Sequence, residues 1–306
     1  MDEVLQTLII GLSNGLIIAI VALGLTMVYA ILELINFAHG DVFMIGSFIA
    51  ITLITGLGVA RMDLAVQLIA LAGIVVVTAS ITAILNGAIE IVAYRRLRNA
   101  PKLQPLIAAI GMSFVLENIA IIWRGPDTIG IDPLFSNANL LAPLGITAVS
   151  ITIKQVLVVV VTIPAMVLLG AFINRTKLGL AMRATAQDAE MAGVMGIDVN
   201  RTISMAFIIG GALAGAAGVV QIVFSNATVW ILGFRFGLNA FTAAVMGGIG
   251  NVKGAVLGGL IVGILNAFSD RYISTSWTNA LVFAALIATL VLRPSGLLGR
   301  QVADRA

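Results

Sequence analysis

The sequence predicts an all-α polytopic membrane protein with about eight or nine transmembrane segments, at least one of them broken or short. Of its 306 residues, 60% are hydrophobic and only 10% are charged, and the mean hydropathy is +1.12. Soluble domains carry roughly 25% charged residues, and disordered chains are poor in apolar ones. The 32 glycines agree with a membrane protein, since Gly is more frequent in membrane helices than in soluble ones. We expect a single domain, residues 1–306.

Apolar runs long enough to cross a bilayer, about 20 residues each, follow one another along the chain. The expected spans cover residues 8–29, 37–54, 64–93, 105–123, 155–173, 203–223, 237–268 and 279–292. No basic residue precedes the first run, so a secretory signal peptide is rejected. Region 237–268 is interrupted at residues 250–254, which predicts a short helix, a turn and a second helix. Glycines at four-residue spacing in this region are typical of close helix packing.

Basic residues cluster in three places, which predicts the orientation. They follow the third span, follow the fifth span and end the chain: Arg95, Arg96, Arg98, Lys102, Arg175, Lys177, Arg183, Arg201, Arg293, Arg300 and Arg305. The positive-inside rule places these regions and the C-terminus in the cytoplasm and the loop 124–153 outside. The N-terminus is then outside if the second span crosses completely, and inside if it does not.

The first candidate for function is the segment INFAHGD, residues 35–41, which holds the only histidine of the chain. Polar breaks in membrane proteins are tolerated where they line a cavity or are buried in protein, and ionisable residues there are functional candidates. The segment is therefore expected to line or gate a translocation path. The alternative is a helix start, with Asn36 as its N-cap and Asp41 near the positive end of the helix dipole. The expected path residues are Asn36, Phe37, His39, Gly40 and Asp41, with Gly247 and Gly250 at the glycine-rich break as a second, weaker candidate.

The second candidate is the polar segment 175–202, in which strong helix formers run from residue 180 to residue 195. Small side chains allow another surface to approach closely, and Gly196 is typical of a helix stop. The segment is expected to be a docking helix for a cytoplasmic partner, the alternative being a solvated connector between spans. The residues expected to act in docking are Arg183, Ala184, Asp188, Glu190, Gly193 and Gly196.

Several motifs are absent from the sequence. No G-x-x-x-x-G-K-[ST] phosphate-binding loop and no H-E-x-x-H zinc motif occurs. No catalytic, metal-binding or cofactor-binding residue is therefore expected in this chain. Glu90 and Glu117 lie within or near spans, where isolated glutamates are expected to pair internally rather than to relay protons.

Four stretches carry a resemblance to a known family. Residues 24–48, GLTMVYAILELINFAHGDVFMIGSF, closely resemble the first permease subunit of branched-chain amino-acid ABC importers, the LivH-like family. Residues 179–197 are similar to that family's coupling segment, residues 241–268 to its FTAAVLGGIG block and residues 293–299 to its P-GLLG ending. The similarity covers essentially the whole chain in the right order. Ala30 departs from the pattern, because the family often has Gly there.

The resemblance implies a type II-like ABC importer permease in the bacterial cytoplasmic membrane. It implies a homologous second permease subunit, two cytoplasmic ATPase subunits that bind the ATP, and a periplasmic or surface solute-binding protein. The family expectation for the substrate is leucine, isoleucine or valine, while urea, short amides or other amino acids are alternatives. A stand-alone secondary transporter or channel is a rival outside the family, and an intramembrane enzyme using His39 and Asp41 is a third hypothesis.

Overall fold

The computed structural model describes residues 2–32, 36–98, 100–101, 103–144 and 149–299, which are almost entirely helical. The helices are α1 (Asp2–Leu32), α2 (Ala38–Gly56), α3 (Leu64–Ile89), α4 (Leu103–Arg124), α5 (Ile153–Arg175), α6 (Lys177–Gln187), α7 (Ala189–Val194), α8 (Val199–Ser225), α9 (Leu232–Gly247), α10 (Val252–Tyr272) and α11 (Thr278–Leu292). Two short strands, β1 (Ile129–Gly130) and β2 (Ala227–Thr228), pair antiparallel. Ile35, Lys102, Arg300 and Arg305, which entered the predictions above, lie outside the described residues.

The predicted fold class is confirmed. Within the described ranges, seven helices are long and apolar enough to cross a membrane, and α11 is a shorter apolar helix. The region predicted as helix, turn and helix is α9 followed by α10. Helix α9 starts at Leu232, earlier than the predicted residue 237. The hydropathy pattern missed its first turn because the polar Arg235 interrupts the apolar run.

The helices divide into a central and a peripheral group. The apolar stretch of α2 is 78% buried within the chain, and those of α1 and α8 are almost as deeply buried, whereas that of α5 is only 17% buried. Many large apolar side chains of α3, α4 and α5 are exposed. Exposed apolar side chains on membrane helices face lipid or another membrane protein, so α1, α2 and α8 form the core of this chain.

Glycines hold the central helices close together, as their four-residue spacing predicts. A Cβ built on Gly15 of α1 would lie 2.8 Å from the Leu260 Cα of α10, and one built on Gly259 would lie 2.7 Å from the Ala19 Cα. Residues 11–15 spell G-x-S-x-G, but they lie inside a helix, not in the strand-to-helix turn of a hydrolase. Any side chain at these glycines would push α1 and α10 apart.

Polar contacts assign the helix ends to two faces of the bundle. On one face, the Gln6 side chain exchanges two hydrogen bonds with the Ser150 backbone, 2.8 and 3.2 Å long. On the other face, the end of α3 meets the start of α8, where Arg98 donates to Asn200 over 2.5 Å. The bonds between Gln6 and Ser150 place the start of α1 on the same face as the loop between α4 and α5. This agrees with α2 being long enough to span.

Candidate functional site

The start of α2 holds the polar residues that were expected to line or gate a path. Asn36 is 2% exposed, and its Oδ1 accepts a hydrogen bond from the Tyr94 hydroxyl over 2.7 Å. The alternative interpretation of Asn36 as N-cap is wrong, because Phe37 holds the cap position and no side chain caps the helix. The side-chain oxygen of Asn36 binds Tyr94 instead, five residues beyond the end of α3, so Asn36 ties the start of α2 to that end. The Phe37 ring lies 6.3 Å from the Phe241 ring of α9.

His39 lies in a slot between two glycines. It is fully buried, and neither ring nitrogen has a hydrogen-bond partner among the described residues. A Cβ on Gly24 of α1 would lie 2.6 Å from its Nε2, and one on Gly210 of α8 would lie 3.5 Å from its Cε1. The imidazole therefore fills the space that the two glycines leave at the junction of α1, α2 and α8.

Asp41 and Gly40 join α2 to α4 and α9. The fully buried Asp41 accepts a hydrogen bond from the Ser113 hydroxyl of α4 through Oδ2, over 2.5 Å, while its Oδ1 has no partner in the described part of the chain. A Cβ on Gly40 would lie 2.7 Å from the Gly237 Cα. The backbones of α2 and α9 therefore touch directly, next to a buried carboxylate.

Gly247 and Gly250, the second path candidate, lie in a different place, at the turn between α9 and α10. Gly250 has φ +82° and Gly248 has φ +106°, conformations that glycine adopts without strain. The C-terminal segment crosses this turn: the Leu297 and Leu298 amides donate to the carbonyls of Met246 and Gly247 over 2.8 and 3.0 Å. The turn is therefore held by backbone hydrogen bonds to the end of the chain.

The segment expected to dock a partner contains two helices, not one. The prediction of a continuous helix over residues 180–195 is wrong, because α6 ends at Gln187 and α7 begins at Ala189. Between them, Asp188 has an extended backbone and its carboxylate accepts a hydrogen bond from the Met191 amide over 2.9 Å. An aspartate that caps a helix favours this position over a helix interior. The predicted helix stop is confirmed, since Gly196 has φ +85° just after α7.

Most of the expected docking residues are exposed. The exposed ones are Arg183, Asp188, Glu190, Gly193 and Gly196, while Ala184 is half-buried. Three large apolar side chains on the same segment, which the sequence analysis did not single out, are also exposed: Met191 by 60%, Val194 by 77% and Met195 by 82%. We call residues 188–196 the α7 surface. It combines apolar side chains with polar groups, a composition typical of contact surfaces between proteins.

A buried ion cluster that sequence reasoning did not assemble lies between these two regions. Glu90 has no exposed side-chain surface and forms ion pairs with Arg95, over 3.1 Å, and with Arg98. The Ser204 hydroxyl of α8 donates to the same carboxylate over 2.7 Å. Burial lowers the pKa of Arg98 and the Glu90 charge raises it, and arginine stays charged in proteins. The expectation that Glu90 pairs internally is confirmed, and the pairing ties α3 to the start of α8.

A π-helical turn over residues 90–94 sets up this cluster at the end of α3. Such turns within helices occur frequently at functional sites. The spacing of one glutamate and two arginines was visible in the sequence, but the contact with Ser204 was not. The contacts of Tyr94 with Asn36 and of Ser113 with Asp41 were not visible in the sequence either, because only the fold brings these residues together.

An open apolar groove of about 530 Å³ lies between α2, α3 and α4. It is lined by Ile45, Ile49, Thr52, Leu53, Ile81, Leu85, Leu116, Ile119 and Trp123. None of the expected path residues lines it.

Comparison with known proteins identifies the family. Residues 7–290 match the family described as "Branched-chain amino acid transport system / permease component". The chain is 40% identical to the high-affinity branched-chain amino acid transport system permease protein LivH of Escherichia coli K12, over 98% of this chain and 97% of the relative. It is 39% identical to LivH of Salmonella typhimurium over the same shares, and 40% identical to the corresponding permease protein BraD of Pseudomonas aeruginosa, also over 98% and 97%.

No solved structure matches the chain. The family match covers nearly all of the helical bundle described above, from the second turn of α1 to the last turn of α11. The chain belongs to the permease family of branched-chain amino acid transport systems and is a multi-pass inner-membrane protein.

Proposed function

We propose that this chain is a permease subunit of a binding-protein-dependent ABC importer that carries leucine, isoleucine and valine into the cell. Support comes from the relatives named as high-affinity branched-chain amino acid permeases, which match over almost their whole length. In this proposal the chain pairs with a homologous second permease subunit. A periplasmic or surface solute-binding protein delivers the substrate, and two cytoplasmic ATPase subunits bind and hydrolyse the ATP. The chain itself needs no cofactor and catalyses no reaction.

The α7 surface is the observation that carries this proposal. A permease driven by separate ATPases must offer them a contact that follows their movement, whereas a carrier working alone needs none. The α7 surface exposes Met191, Val194 and Met195 in a segment of 175–202 that joins two spans. We assign this segment to the ATPase contact, with Arg183 and Glu190 as flanking polar groups.

The orientation follows from the same assignment. The start of α8, which directly follows α6 and α7, bonds to the arginines at the end of α3. The α9–α10 turn that the C-terminal segment crosses lies against Ala30 at the end of α1, which we assign to the same face. The positive-inside rule places this face in the cytoplasm. The C-terminus is then cytoplasmic, and the loop between α4 and α5 faces the binding protein.

The start of α2 is assigned to the gate of the path. Asn36, His39 and Asp41 are buried against neighbouring helices, so they reach a path only when those helices move. Closure of the ATPase dimer would pull on α6 and α7 and, through α8 and the Glu90 cluster, on α3 and α2. Gly247 and Gly250 are assigned to a second moving part, the turn between α9 and α10.

The test is uptake of radiolabelled leucine into proteoliposomes that contain this chain, the second permease and both ATPases, with ATP inside and the binding protein outside. We expect uptake that requires ATP and every subunit. Gradient-driven uptake by this chain alone would instead support a secondary transporter. Parallel assays with urea and acetamide distinguish the related permeases, because an importer of short amides would accumulate those and not leucine.

A further inference from the structure

Buried polar groups without partners meet where α2 touches α9. Asp41 is fully buried, and its Oδ1 has no hydrogen-bond partner among the residues that the structure describes. The ion pairs found in the described chain use Glu3 and Glu90, not Asp41. A buried carboxylate without a counter-charge is costly. Asp41 therefore offers a place where a cationic group would be strongly stabilised.

The first turn of α9 lies beside Asp41. Asp41 Oδ1 lies against Gly233 in the first turn of this helix, as a Cβ built on Gly233 would collide with that oxygen. Ile231 holds the cap position, and no side chain caps the helix. The first N–H groups of a helix have no partner within it and carry partial positive charge. The uncapped amides of Gly233 and Phe234 are suited to an anionic group.

Glycines form the contact between α2 and α9 next to Asp41. Gly40 meets Gly233 and Gly237, so backbone lies on backbone there. Beside this glycine contact, the Phe43 ring of α2 packs on the Phe236 ring of α9, with centroids 4.8 Å apart. The space is closed in this structure. When α2 and α9 separate, the Asp41 carboxylate and the first amides of α9 face the same opening from two sides.

We propose that Asp41 and the start of α9 form a subsite for the zwitterionic part of an α-amino acid. Asp41 Oδ1 takes the ammonium group, the Gly233 and Phe234 amides take the carboxylate, and Ser113 holds Asp41 in place through its other oxygen. Uncapped ends of interrupted helices bind anionic substrate groups in other transporters. This inference rests on the proposed function, because it needs an amino acid as the transported molecule.

The test measures weak binding directly, without the solute-binding protein. The assembled transporter is placed in lipid nanodiscs, and saturation-transfer NMR follows leucine, 3-methylbutylamine, which lacks the carboxylate, and 4-methylpentanoate, which lacks the ammonium group. We expect leucine to bind best, the amine to compete for the site and the acid not to compete. Asp41→Asn should weaken leucine binding about ten- to a hundredfold, the factor for losing a hydrogen bond to a charged group. Ser113→Ala should weaken it less and Asp41→Glu should restore part of it. Asp63→Asn, the same change at an exposed residue before α3, serves as the matched control.

Leucine binding that is unchanged in Asp41→Asn, or a wild type that binds the acid as well as the amine, would overturn the subsite. If Asp41→Asn does not assemble, the analogue series on the wild type decides alone. A wild type that imports leucine in proteoliposomes but binds none of the three in nanodiscs would also overturn it while leaving the proposed function intact. Failure of leucine import itself would instead remove the proposed function.

Discussion

The start of α2 and the α7 surface are both short polar segments in a chain with few charges, but the fold treats them in opposite ways. Ala38, His39 and Asp41 at the start of α2 have no exposed surface. On the α7 surface, Met195 is 82% exposed although it is apolar. Polar residues are thus inside and apolar residues outside, the reverse of what solubility alone would favour.

This difference separates two kinds of function. Buried polar groups in a membrane protein are expensive and hold their neighbours in fixed positions, so changes there should alter the stability of the subunit. Exposed apolar groups in a segment that we propose to be cytoplasmic contribute little to folding, so changes there should alter contact with a partner.

Replacing Glu90 by Gln should cause the largest loss of stability, because this buried carboxylate pairs with two arginines. The change leaves Arg98, whose side chain is 11% exposed, without its counter-charge. Removing one partner of a buried ion pair costs about 3–5 kcal/mol, and the half-exposed Arg95 should add little. Thermal unfolding of the purified subunit in detergent measures this loss. The matched control is Asp270→Asn near the opposite face, which should unfold within a few degrees of wild type.

Replacing Gly40 by Ala should destabilise the contact between α2 and α9. The added methyl group would meet the Gly237 Cα at 2.7 Å, and overpacking of this kind costs about 1–3 kcal/mol. Gly111→Ala on α4 is the control, since nothing lies within 4 Å of a Cβ there and alanine is favoured over glycine in a helix by roughly 1 kcal/mol. If both variants had equal unfolding temperatures, the close contact of α2 and α9 would be refuted.

The sequence predicted the helices of this chain better than the contacts between their side chains, for physical reasons. Helix number and the break after α9 followed from hydropathy and glycine, because both are local properties. The break at Asp188 was missed because the helix propensity of the surrounding alanines outweighed the capping preference of a single aspartate. The partners of Asn36 and Asp41 could not be found, because Tyr94 and Ser113 lie 58 and 72 positions away along the chain.

Replacing Asp188 by Ala should loosen α7 without unfolding the bundle. Losing an N-cap costs about 1 kcal/mol, and only the six residues of α7 depend on this cap. Amide hydrogen exchange of residues 189–194 should become about fivefold faster, with α2 unchanged. Glu190→Gln, which leaves the cap in place, should exchange at the wild-type rate; protection of α7 that is equal in all three proteins would exclude the cap as its cause.

Replacing Met195 by Glu should have the smallest effect on stability, within about 0.5 kcal/mol, as for most surface changes. Its effect should appear in function: the assembled transporter should lose leucine uptake and co-purify with less ATPase. Leu57→Glu, which puts the same charge on an exposed residue at the other end of α2, should keep the ATPase bound. Normal ATPase binding by Met195→Glu would argue against the α7 surface as the contact.

Cysteine accessibility tests the central division most directly, because the chain contains no natural cysteine. Met195→Cys and Ala38→Cys are treated with a water-soluble maleimide, first in the paired permeases and then in the complete transporter. We predict that Met195→Cys reacts rapidly in the permease pair and becomes protected when the ATPases bind, while Ala38→Cys stays unreactive in both. Labelling of Met195→Cys that is the same with and without ATPases would contradict the α7 surface as the ATPase contact. Rapid labelling of Ala38→Cys in the permease pair would contradict the burial of the start of α2.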